Sequence, residues 1–367
     1  MRIMHFLNHT QLSNGHVHVA VDLACVQSRL GHSVSVVSGG GDFDPLFVAY
    51  GVKHIVINQT RTLANLIRAI CKLHSTISSI SPDIIHAHMM TSASLAFILR
   101  PFMKFRLVTT VHNEFERAAI IMGLGDRVIA VSEAVAESMK GRGVQGSRLR
   151  VVLNGTIGSP RLSPETPAAK ILNRPAITFV GGLHPRKGVD DLITAFKTVC
   201  ARVPRAYLYL VGSGPYREAY EELAAQTGFG DRIQFCGFQA DPRSYLRGSD
   251  LFVLASHAEP AALVLTEARE AGCAIVATSV GGTPEMLDGG KAGVLVPPRR
   301  SDLLADAIIN ILSDETILAD LRARSRLNLG RFTVDRASKE CVSVYDGVLG
   351  KMLLQPSRSP GDHTKGY

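Results

Sequence analysis

Short apolar runs alternate with longer segments of helical period along most of the chain. In the first half the apolar runs predict seven strands, at 3–7, 33–37, 54–57, 84–87, 107–111, 127–130 and 149–153. Helices are predicted between them at 17–30, 62–79, 92–99 and 133–140. Continuous apolar strands that alternate with helices are typical of parallel sheets covered on both faces, so the pattern predicts an α/β fold.

The alternation lapses into a stretch rich in Pro, Ser, Asn and Gly, which is typical of an exposed linker at 156–175. A second series then predicts strands at 176–180, 207–211, 233–236, 251–254, 274–277 and 293–296. The sequence therefore predicts two doubly wound domains, 1–155 and 176–330, that face each other across a cleft.

The end of the chain is expected to be helical and then irregular. Residues 302–328 have a helical pattern, and 334–354 predict a last helix. We expect this C-terminal segment, 331–354, to cross back to the first domain. The Pro/Ser/Gly-rich segment 355–367 predicts a flexible tail.

The composition is that of a globular protein, with 46% hydrophobic and 20% charged residues. No window reaches the roughly 18 uninterrupted apolar residues of a membrane-spanning helix, and the first apolar run is too short for the core of a signal peptide. The six cysteines have no short spacing, which argues against a zinc site and a disulfide framework. We therefore expect a cytoplasmic protein with reduced thiols.

A formal charge of +8 and a pI near 9.3 call for a polyanionic partner. Nucleic acid, anionic lipid and a diphosphate-bearing substrate all satisfy that requirement. Nucleic acid would explain the charge but not the glycine turns described below, and no recognised nucleic-acid-binding module is present. We therefore expect no nucleic-acid partner.

The segment Glu259-Pro-Ala-Ala-Leu-Val-Leu-Thr-Glu267 joins an apolar strand to a helix and carries two carboxylates. The start of a helix after a strand presents unpaired N–H groups and suits an anion. Carboxylates at that place accept hydrogen bonds from sugar or ribose hydroxyls attached to the anion. The pairing indicates a nucleotide sugar, although a helix that merely carries two acids is an even alternative for the segment alone.

Three further glycine turns follow predicted strands and precede predicted helices: Gly181-Gly-Leu-His-Pro-Arg-Lys-Gly188, Val211-Gly-Ser-Gly-Pro215 and Gly281-Gly-Thr-Pro-Glu285. Arg186 and Lys187 place cations at a helix N-terminus, where the dipole disfavours them unless an anion compensates. The turns together predict a phosphate-binding rim, with a solvated basic turn as the alternative. The second turn lacks the third glycine of a dinucleotide fingerprint, so NAD binding is not expected.

Two other groups of residues have simpler explanations than a metal site. Asp42 and Asp44 have an Asp-x-Asp spacing but lie in a Gly/Pro-containing loop, which favours a solvated turn. His86 and His88 alternate on a strand and are expected to pack or form hydrogen bonds. Hydrolase motifs of the His-Glu-x-x-His or nucleophile-elbow type do not occur in the sequence.

Nine motifs taken in order resemble the group 1, or family 4, retaining glycosyltransferases of the GT-B fold, over residues 1 to about 345. They are Pro82–His88, Thr109–His112, Val131–Ala134, Val151–Gly155, Arg186–Gly188, Val211–Pro215, Gly248–Ser256, the Glu259/Glu267 pair and Gly281–Glu285. The resemblance implies transfer of a sugar from a UDP- or GDP-sugar, with retention and without a metal or other cofactor. The acceptor it implies is a hydroxyl of a carbohydrate or of a lipid-linked polysaccharide or lipopolysaccharide precursor.

The resemblance also implies roles for individual residues. Glu259 matches the acid near the transferred sugar, Glu267 the acid that accepts from ribose, and His112 the histidine that reaches the sugar. Arg186 and Lys187 match the cations on the donor diphosphate. The remaining donor-binding matches are Gly15, Gly182, Gly212, Gly214, Gly237, Phe238, Ala261, Ala262 and Leu263.

The sequence departs from the family pattern at several of these positions. Gly182 stands where many relatives have an arginine, so Arg186 is expected to supply that charge. Pro260-Ala-Ala262 replaces the usual Gly-Phe-Gly, and Asn14-Gly15 replaces Gly-Gly. These departures leave two alternatives open: a non-catalytic nucleotide-sugar-binding protein, and a transferase for a small soluble acceptor. A GT-B epimerase is a weaker third alternative.

A peripheral contact with an anionic membrane is a further hypothesis. Arg61, Arg68, Lys72 and His74 recur along a predicted helix that also carries Leu63, Leu66, Ile67 and Ile70, and a second basic cluster occupies 100–106. Basic faces with apolar neighbours suit a protein that rests on anionic lipid. An ordinary solvated helix face is nearly as good an explanation.

Overall fold

The computed structural model describes residues 1–12, 14–59, 62–163 and 165–350. Two parallel sheets form the core of two lobes, so the predicted architecture of two doubly wound α/β domains is confirmed. Position 61 and the tail 355–367 lie outside the described residues, as does the end of the last predicted helix beyond 350. Within the described residues, no helix combines the length and apolarity that a membrane crossing needs.

The N-terminal lobe contains a seven-stranded sheet in the order β3-β2-β1-β4-β5-β6-β7. Its strands are β1 Arg2–Phe6, β2 Ser33–Ser38, β3 Lys53–Val56, β4 Ile84–Ala87, β5 Arg106–Val111, β6 Arg127–Ala130 and β7 Leu149–Val151. The helices of this lobe are α1 Gly15–Arg29, α2 Asp44–Ala49, α3 Leu63–Ile80, α4 Met90–Leu99 and α5 Glu133–Gly141.

The C-terminal lobe contains a six-stranded sheet in the order β10-β9-β8-β11-β12-β13. Its strands are β8 Ala176–Val180, β9 Tyr207–Val211, β10 Ile233–Gly237, β11 Leu251–Leu254, β12 Ala274–Thr278 and β13 Val294–Val296. The remaining helices are α6 Val189–Arg202, α7 Arg217–Gln226, α8 Arg243–Gly248, α9 Leu263–Ala271, α10 Thr283–Met286, α11 Ser301–Leu312, α12 Glu315–Ser325 and α13 Val334–Leu349.

Each sheet is buried on both faces, as the continuous apolar strands predict. All four residues of β4 and all four of β11 are buried. In each sheet the strand order reverses in the middle, next to β1 in one lobe and next to β8 in the other. Ligands of such sheets bind outside the carboxyl ends of the strands at that switch point. The fold thereby places the glycine turns and their neighbours on the ligand-facing edge of the second lobe.

The last helix returns to the first lobe. Ala337, Cys341 and Tyr345 of α13 are buried in the same apolar cluster as α1. Two chain segments pass between the lobes, and they run side by side. The backbone N–H of Val334 donates to the Ile157 carbonyl, and the N–H of Ile157 donates to the Phe332 carbonyl. The N-terminal lobe is therefore completed by residues from the far end of the chain.

The helical pattern over 302–328 is divided between two helices, which corrects the single predicted run. Asp314 lies between α11 and α12, and its carboxylate accepts hydrogen bonds from the backbone N–H groups of Thr316 and Ile317. An aspartate that caps two N–H groups in this way starts a new helix. The break therefore follows from a local capping interaction.

Asp42 and Asp44 are both exposed, as the predicted solvated turn requires. Asp44 begins the short helix α2, and its carboxylate pairs with the His54 imidazole. The Asp42 carboxylate accepts a hydrogen bond from Leu12 N at 3.0 Å. The two carboxylates thus have separate protein partners.

The linker is less exposed than its composition predicts. Arg161 forms a bidentate ion pair with the buried Asp22 carboxylate of α1, with N···O distances of 2.9 and 3.0 Å, and Ser159 donates to the same carboxylate at 2.8 Å. Residues 165 and 166 and residues 168–171 are exposed. The first part of the linker is therefore fixed to the N-terminal lobe by a partner 139 residues away along the chain.

Arg269 fixes helix α9, which carries Glu267, to the rest of its lobe. Its guanidinium is fully buried and donates to the carbonyl oxygens of Ser325, Met286 and Leu327 and to the Asp288 carboxylate. Burial lowers the pKa of Arg269, and the Asp288 carboxylate opposes that shift. A buried cation with these acceptors holds two separate segments, 286–288 and 325–327, against one helix.

Replacing Arg269 with Ala should lower the free energy of unfolding by about 3–5 kcal/mol, because it leaves buried acceptors without donors. Urea denaturation measures the change. Arg300→Ala is the control, since it removes an exposed arginine paired only with Asp302 among the described residues and should leave the midpoint unchanged. Equal midpoints for both variants would show that Arg269 does not hold α9 in place.

Candidate functional site

The two lobes approach each other at the starts of α1 and α9. Gly15 begins α1, and a Cβ at that position would lie 3.4 Å from Cδ1 of Leu263, the first residue of α9. Leu263 packs against the apolar cluster of the N-terminal lobe although it belongs to the other lobe. These two predicted site residues are therefore brought together across the cleft.

Lys187 and Glu259 form a partly buried ion pair on the C-terminal side of the cleft. The Lys187 ammonium donates to Oε2 of Glu259 at 2.5 Å, and the Ser256 hydroxyl donates to the same oxygen at 3.1 Å. Their side chains are 16% and 7% exposed. An ammonium carries three N–H donors, so one bond to Glu259 leaves donors for a ligand.

Arg186 lies beside this pair and reaches the other lobe. Its guanidinium donates to the carbonyl oxygen of Ala258 at 3.0 Å and stacks 4.9 Å from the centre of the Phe115 ring. The backbone N–H of His257 donates to the Arg186 carbonyl at 2.8 Å. The turn with two cations is thereby fixed against the loop that carries Glu259.

Close backbone contacts decide where glycine is required in these turns. Gly188 has a φ of +61°, and a Cβ there would lie 2.0 Å from the Ala255 carbonyl oxygen. Gly212 has a φ of +146°, and its Cβ would lie 1.9 Å from the Gly181 carbonyl oxygen. Only glycine fits such positions. These two glycines let the turns at the ends of neighbouring strands pack closely on each other.

The other glycines of the rim have different surroundings. A Cβ on Gly214 would meet the Leu183 carbonyl at 2.4 Å, and one on Gly182 would meet the His184 ring at 2.8 Å. Gly237 ends β10, and a Cβ there would have no neighbour within 4 Å among the described residues. Phe238 next to it is 49% exposed. An open turn with an exposed aromatic ring leaves room for a planar ligand.

The turn Gly281–Glu285, which follows β12, also joins the lobes. Gly281 and Gly282 pack against the carbonyl oxygens of Glu259 and Pro260. The carboxylate of Glu285 accepts a hydrogen bond from Glu133 N, at the start of α5, at 2.8 Å. The glycines are needed here for contact between loops of the protein.

The segment Pro260-Ala-Ala262, which departs from the family pattern, lies at the same junction between the lobes. The hydroxyl of Ser132 donates to the Pro260 carbonyl at 2.8 Å across the cleft. Ala261 packs against the apolar clusters of both lobes, and Ala262 is buried immediately before α9. These small residues therefore lie where the N-terminal lobe meets the loop that follows Glu259.

Glu267 lies one turn into α9, close to charged groups of both lobes. Desolvation by burial raises the pKa of its carboxyl to about 7, opposed by Arg161 and assisted by Asp241, Glu270 and Asp22. The residue is partly exposed to solvent. Near neutral pH the carboxyl is thus divided between its protonated and ionised forms.

His112 lies at the carboxyl end of β5 and lines an open cavity of about 240 Å³ on the N-terminal side of the cleft. Burial lowers its pKa to about 3, with His16 as a second cause. The cavity is also lined by Asn8, His9, His16, His88, Met89, Met90, Thr91, Thr110, Asn113, Glu116 and Met122. His112 is therefore a neutral imidazole at the wall of a cavity with room for a sugar.

His86 and His88 form hydrogen bonds, as predicted. His86 contacts the Tyr345 and Thr110 hydroxyls, and His88 contacts His5 and His112. His5, His86 and His88 also have ligand atoms within 4.8 Å of one another, which is the spacing of a metal site. A second such group is Asp190, Asp191 and His257, in which His257 is bonded to Asp191 at 2.7 Å.

Sequence reasoning missed Glu114, which lies two residues after His112. Burial raises the pKa of its carboxyl, with the Glu259 carboxylate as a further cause, and one buried oxygen has no hydrogen-bond partner among the described residues. Arg142 donates to the Glu114 carbonyl, which fixes the backbone. The acidic residue beside His112 was visible in the sequence, but nothing there showed that it faces the Glu259 side of the cleft.

Comparisons with known proteins agree with this architecture. A family model described as Glycosyltransferase Family 4 matches residues 13–156, and one described as Glycosyl transferases group 1 matches residues 165–328. The fold is similar to the crystal structure of Anabaena HepE in complex with UDP and glucose, with a TM-score of 0.82 at 21% identity. That match covers 95% of this chain and 100% of the HepE chain.

Two curated relatives are similar in sequence. The chain is 30% identical over 236 residues to the lipopolysaccharide core biosynthesis glycosyltransferase LpsE of Rhizobium meliloti, covering 63% of this chain and 65% of LpsE. It is 33% identical over 162 residues to the GDP-mannose-dependent alpha-(1-6)-phosphatidylinositol monomannoside mannosyltransferase of Mycobacterium tuberculosis. That match covers 42% of each chain.

The matches to these two relatives span less than two thirds of their length, 65% and 42%. The two family models, in contrast, cover most of this chain between them, one on each lobe. The neighbouring structure shares the arrangement of both sheets. The chain belongs to the group 1, family 4 glycosyltransferases of the GT-B fold.

Proposed function

We propose that the protein transfers a sugar from a nucleoside diphosphate sugar to a hydroxyl acceptor, with retention of configuration and without a metal ion. The partly buried pair of Lys187 and Glu259 is the observation that carries this proposal, because it places a cation and a carboxylate at one point of the cleft. The HepE complex with UDP and glucose and the GDP-mannose-dependent relative support a UDP- or GDP-sugar as donor.

The cations would act on the leaving group. When the bond between the anomeric carbon and the diphosphate breaks, negative charge develops on the diphosphate. Lys187 and Arg186 would stabilise that charge without a metal, since both lie beside a glycine turn at the start of α6. The acceptor attacks from the face that the diphosphate leaves, and its hydroxyl proton passes to the leaving phosphate.

The carboxylates would hold the uncharged parts of the donor. Glu259 lies next to the ammonium that would bind the diphosphate, so its carboxylate is placed to accept from hydroxyls of the transferred sugar. Glu267 lies further along the same segment, one turn into α9, where ribose hydroxyls would donate to it. Gly237 and Phe238 at the open turn that ends β10 would then lie beside the base.

Replacing Lys187 with Met or Glu259 with Gln should lower the transfer rate at least about a hundredfold, as expected for loss of a group that stabilises developing charge or orients the sugar. Sugar transfer from radiolabelled UDP-glucose and GDP-mannose to membrane extracts measures the rate, and NMR of the product gives the anomeric configuration. Lys197→Met, on the exposed face of α6, is the matched control and should keep wild-type activity.

Each single change also leaves a buried charge unpaired, so both should lower stability by about 3 kcal/mol, and the double variant should recover part of that loss. The activity loss is then read only from variants shown to be folded by circular dichroism. Near-wild-type turnover in either folded single variant would refute the assignment. Inversion of configuration in the product would refute the retaining route alone.

Donor affinity should depend on pH through Glu267. Its pKa is raised to about 7 in the ligand-free protein, and ribose hydroxyls that donate to the carboxylate favour the ionised form. Binding is therefore strongest above pH 7, and should weaken by up to about tenfold per pH unit as the pH falls below the pKa. Calorimetric titration of a nucleotide sugar at pH 8 and pH 6 measures this change.

Glu267→Gln should bind more weakly at pH 8 and show no such dependence on pH. Glu270→Gln is the control, because Glu270 lies on the same helix and burial also raises its pKa. That variant should keep the dependence on pH, with its midpoint moved to somewhat lower pH, because the Glu270 charge assists the raised pKa of Glu267. An unchanged pH response in Glu267→Gln would assign the titration to another group and remove Glu267 from the donor site.

The acceptor would be presented at a membrane surface. The basic-apolar surface of the N-terminal lobe consists of Ile67, Arg68 and Lys72 on α3, Phe97 and Ile98 on α4, and Phe102 and Lys104 just beyond it. All seven side chains are exposed, and Phe102 is 77% exposed. Exposed aromatic and aliphatic groups interspersed with cations suit an anionic bilayer. The lipopolysaccharide and phosphatidylinositol relatives support a lipid-linked acceptor.

Vesicle flotation tests this surface. The protein should float with vesicles that contain anionic lipid and remain below with zwitterionic ones, because cations contribute about 1 kcal/mol each near an anionic surface. The double variant Phe102→Ser, Lys104→Ser should lose flotation. Ile171→Ser removes a 99% exposed apolar residue from the linker and should behave as wild type. Binding that ignores lipid charge would overturn the role of the cations, and failure to float with either kind of vesicle would favour a soluble acceptor.

A further inference from the structure

A continuous series of hydrogen-bonded side chains runs beneath the N-terminal side of the cleft. His5 of β1 and His86 of β4 are register partners in the sheet and are both fully buried. They lie on the sheet face that α1 and α13 cover, because Gln27 of α1 and Tyr345 of α13 contact them there. The series therefore links the helix from the end of the chain to the cleft.

The first part of the series leads away from His112. Nε2 of His112 lies 3.1 Å from Nδ1 of His88, and Nε2 of His88 lies 2.9 Å from Nδ1 of His5. Nε2 of His5 in turn lies 2.9 Å from the side-chain oxygen of Gln27. Three imidazoles are thus joined nitrogen to nitrogen and end at an amide.

The second part begins at that amide. The Gln27 nitrogen donates to the Tyr345 hydroxyl at 3.3 Å, and the hydroxyl lies 2.7 Å from Nδ1 of His86. Nε2 of His86 lies 2.6 Å from the Thr110 hydroxyl. We refer to Tyr345, Gln27, His5, His88 and His112 as the histidine relay.

The imidazoles of the relay are neutral at physiological pH. Desolvation by burial lowers the pKa of His5 to about 4 and of His112 to about 3, and it lowers the pKa of His88 well below the usual value. A neutral imidazole has one N–H donor and one acceptor nitrogen. The tautomer of each ring therefore dictates the tautomer of the next.

Tyr345 sets the direction of the relay. Its hydroxyl has one proton and two neighbours, and a phenol donates more strongly to an imidazole nitrogen than to an amide. The shorter contact, at 2.7 Å, is the one to His86, so the proton points there and the phenol oxygen accepts from the Gln27 amide. The amide oxygen then faces His5, which must present N–H at Nε2.

The position of the proton on each ring then fixes its position on the next ring. With its proton on Nε2, His5 accepts at Nδ1 from Nε2–H of His88. His88 then accepts at Nδ1 from Nε2–H of His112. In this direction Nδ1 of His112 carries no proton, and it makes no hydrogen bond within the described parts of the chain.

We propose that the histidine relay holds His112 in the tautomer whose Nδ1 presents a lone pair to the cleft, where it accepts a hydrogen bond from a hydroxyl of the donor sugar. The proposal rests on the proposed transfer function for the identity of that sugar. His88, His5, Gln27 and Tyr345 are positioning residues, since they act on the ligand only through His112.

A divalent metal is the other chemistry that three close histidines suggest, and the hydrogen bonds argue against it. A metal would need a lone pair from each of His5, His86 and His88. In the relay each of those lone pairs already accepts a hydrogen bond from the neighbouring ring or the Tyr345 hydroxyl. Coordination would require all of these bonds to break at once inside the core.

Nitrogen NMR of the ligand-free, full-length protein labelled with 15N-histidine tests the proposal directly. Long-range 1H–15N spectra distinguish protonated from unprotonated ring nitrogens, and single histidine substitutions assign the signals. We expect His112 to be unprotonated at Nδ1 and protonated at Nε2. The opposite tautomer in the wild-type protein would overturn the proposal, whatever the behaviour of any variant.

Two substitutions remove the groups that fix the proton positions at the far end of the relay. Tyr345→Phe removes the hydroxyl that orients Gln27, and Gln27→Met removes the amide at nearly constant volume. Each should shift the His112 nitrogen signals toward a mixture of tautomers and lower kcat/KM by about fivefold, the value expected for one neutral hydrogen bond. Cys341→Ala is the control, because it changes a buried side chain one turn away on α13 without touching the relay.

A merely structural role for Tyr345 would lower stability without moving the His112 signals, and that result would overturn the relay. Stoichiometric zinc bound to His5, His86 and His88 would overturn it as well. The NMR result does not require activity, so the two proposals fail separately. The predicted tautomer in a protein that transfers no sugar would refute the proposed function and retain the relay.

Discussion

A partly buried ion pair between Lys187 and Glu259 is the contact on which the candidate site depends. The two residues are 72 positions apart, and they meet because adjacent parallel strands end at the same edge of the second sheet. Gly188, directly after Lys187, packs so closely on the carbonyl of Ala255 that only glycine fits there, and this contact brings the two turns together. A polar ligand at that edge therefore meets a cation and an anion held at a fixed distance.

The same edge is tied to the other lobe by contacts that lie next to the pair. Ser132 donates to the Pro260 carbonyl, Glu285 accepts from the start of α5, and Arg186 stacks on Phe115. Further out, Asp22 and Arg161 fix the linker, and α13 closes the first lobe. The histidine relay connects that last helix to the cleft, so the two ends of the chain converge on one wall of the site.

Much of this arrangement is predictable from the sequence, because it follows from local patterns. The apolar runs at 84–87, 127–130, 176–180, 207–211 and 251–254 are strands with the predicted bounds. Long-range contacts were not predictable in this way. The linker composition gave no sign that Arg161 pairs with Asp22, and the short helix α2 carries too few buried residues to show a period. The alternation of His86 and His88 was visible, but their partners lie on other strands and helices, and Tyr345 is 259 residues away.

Lys187 and Glu267 are proposed to hold the two halves of one nucleotide sugar. A crystal structure of the full chain, grown in parallel with UDP-glucose and GDP-mannose, is the decisive measurement. We expect the diphosphate within hydrogen-bond distance of the Lys187 ammonium and the ribose hydroxyls on the Glu267 carboxylate. A nucleotide bound in the cleft but away from both side chains, or bound outside the cleft, would contradict this assignment.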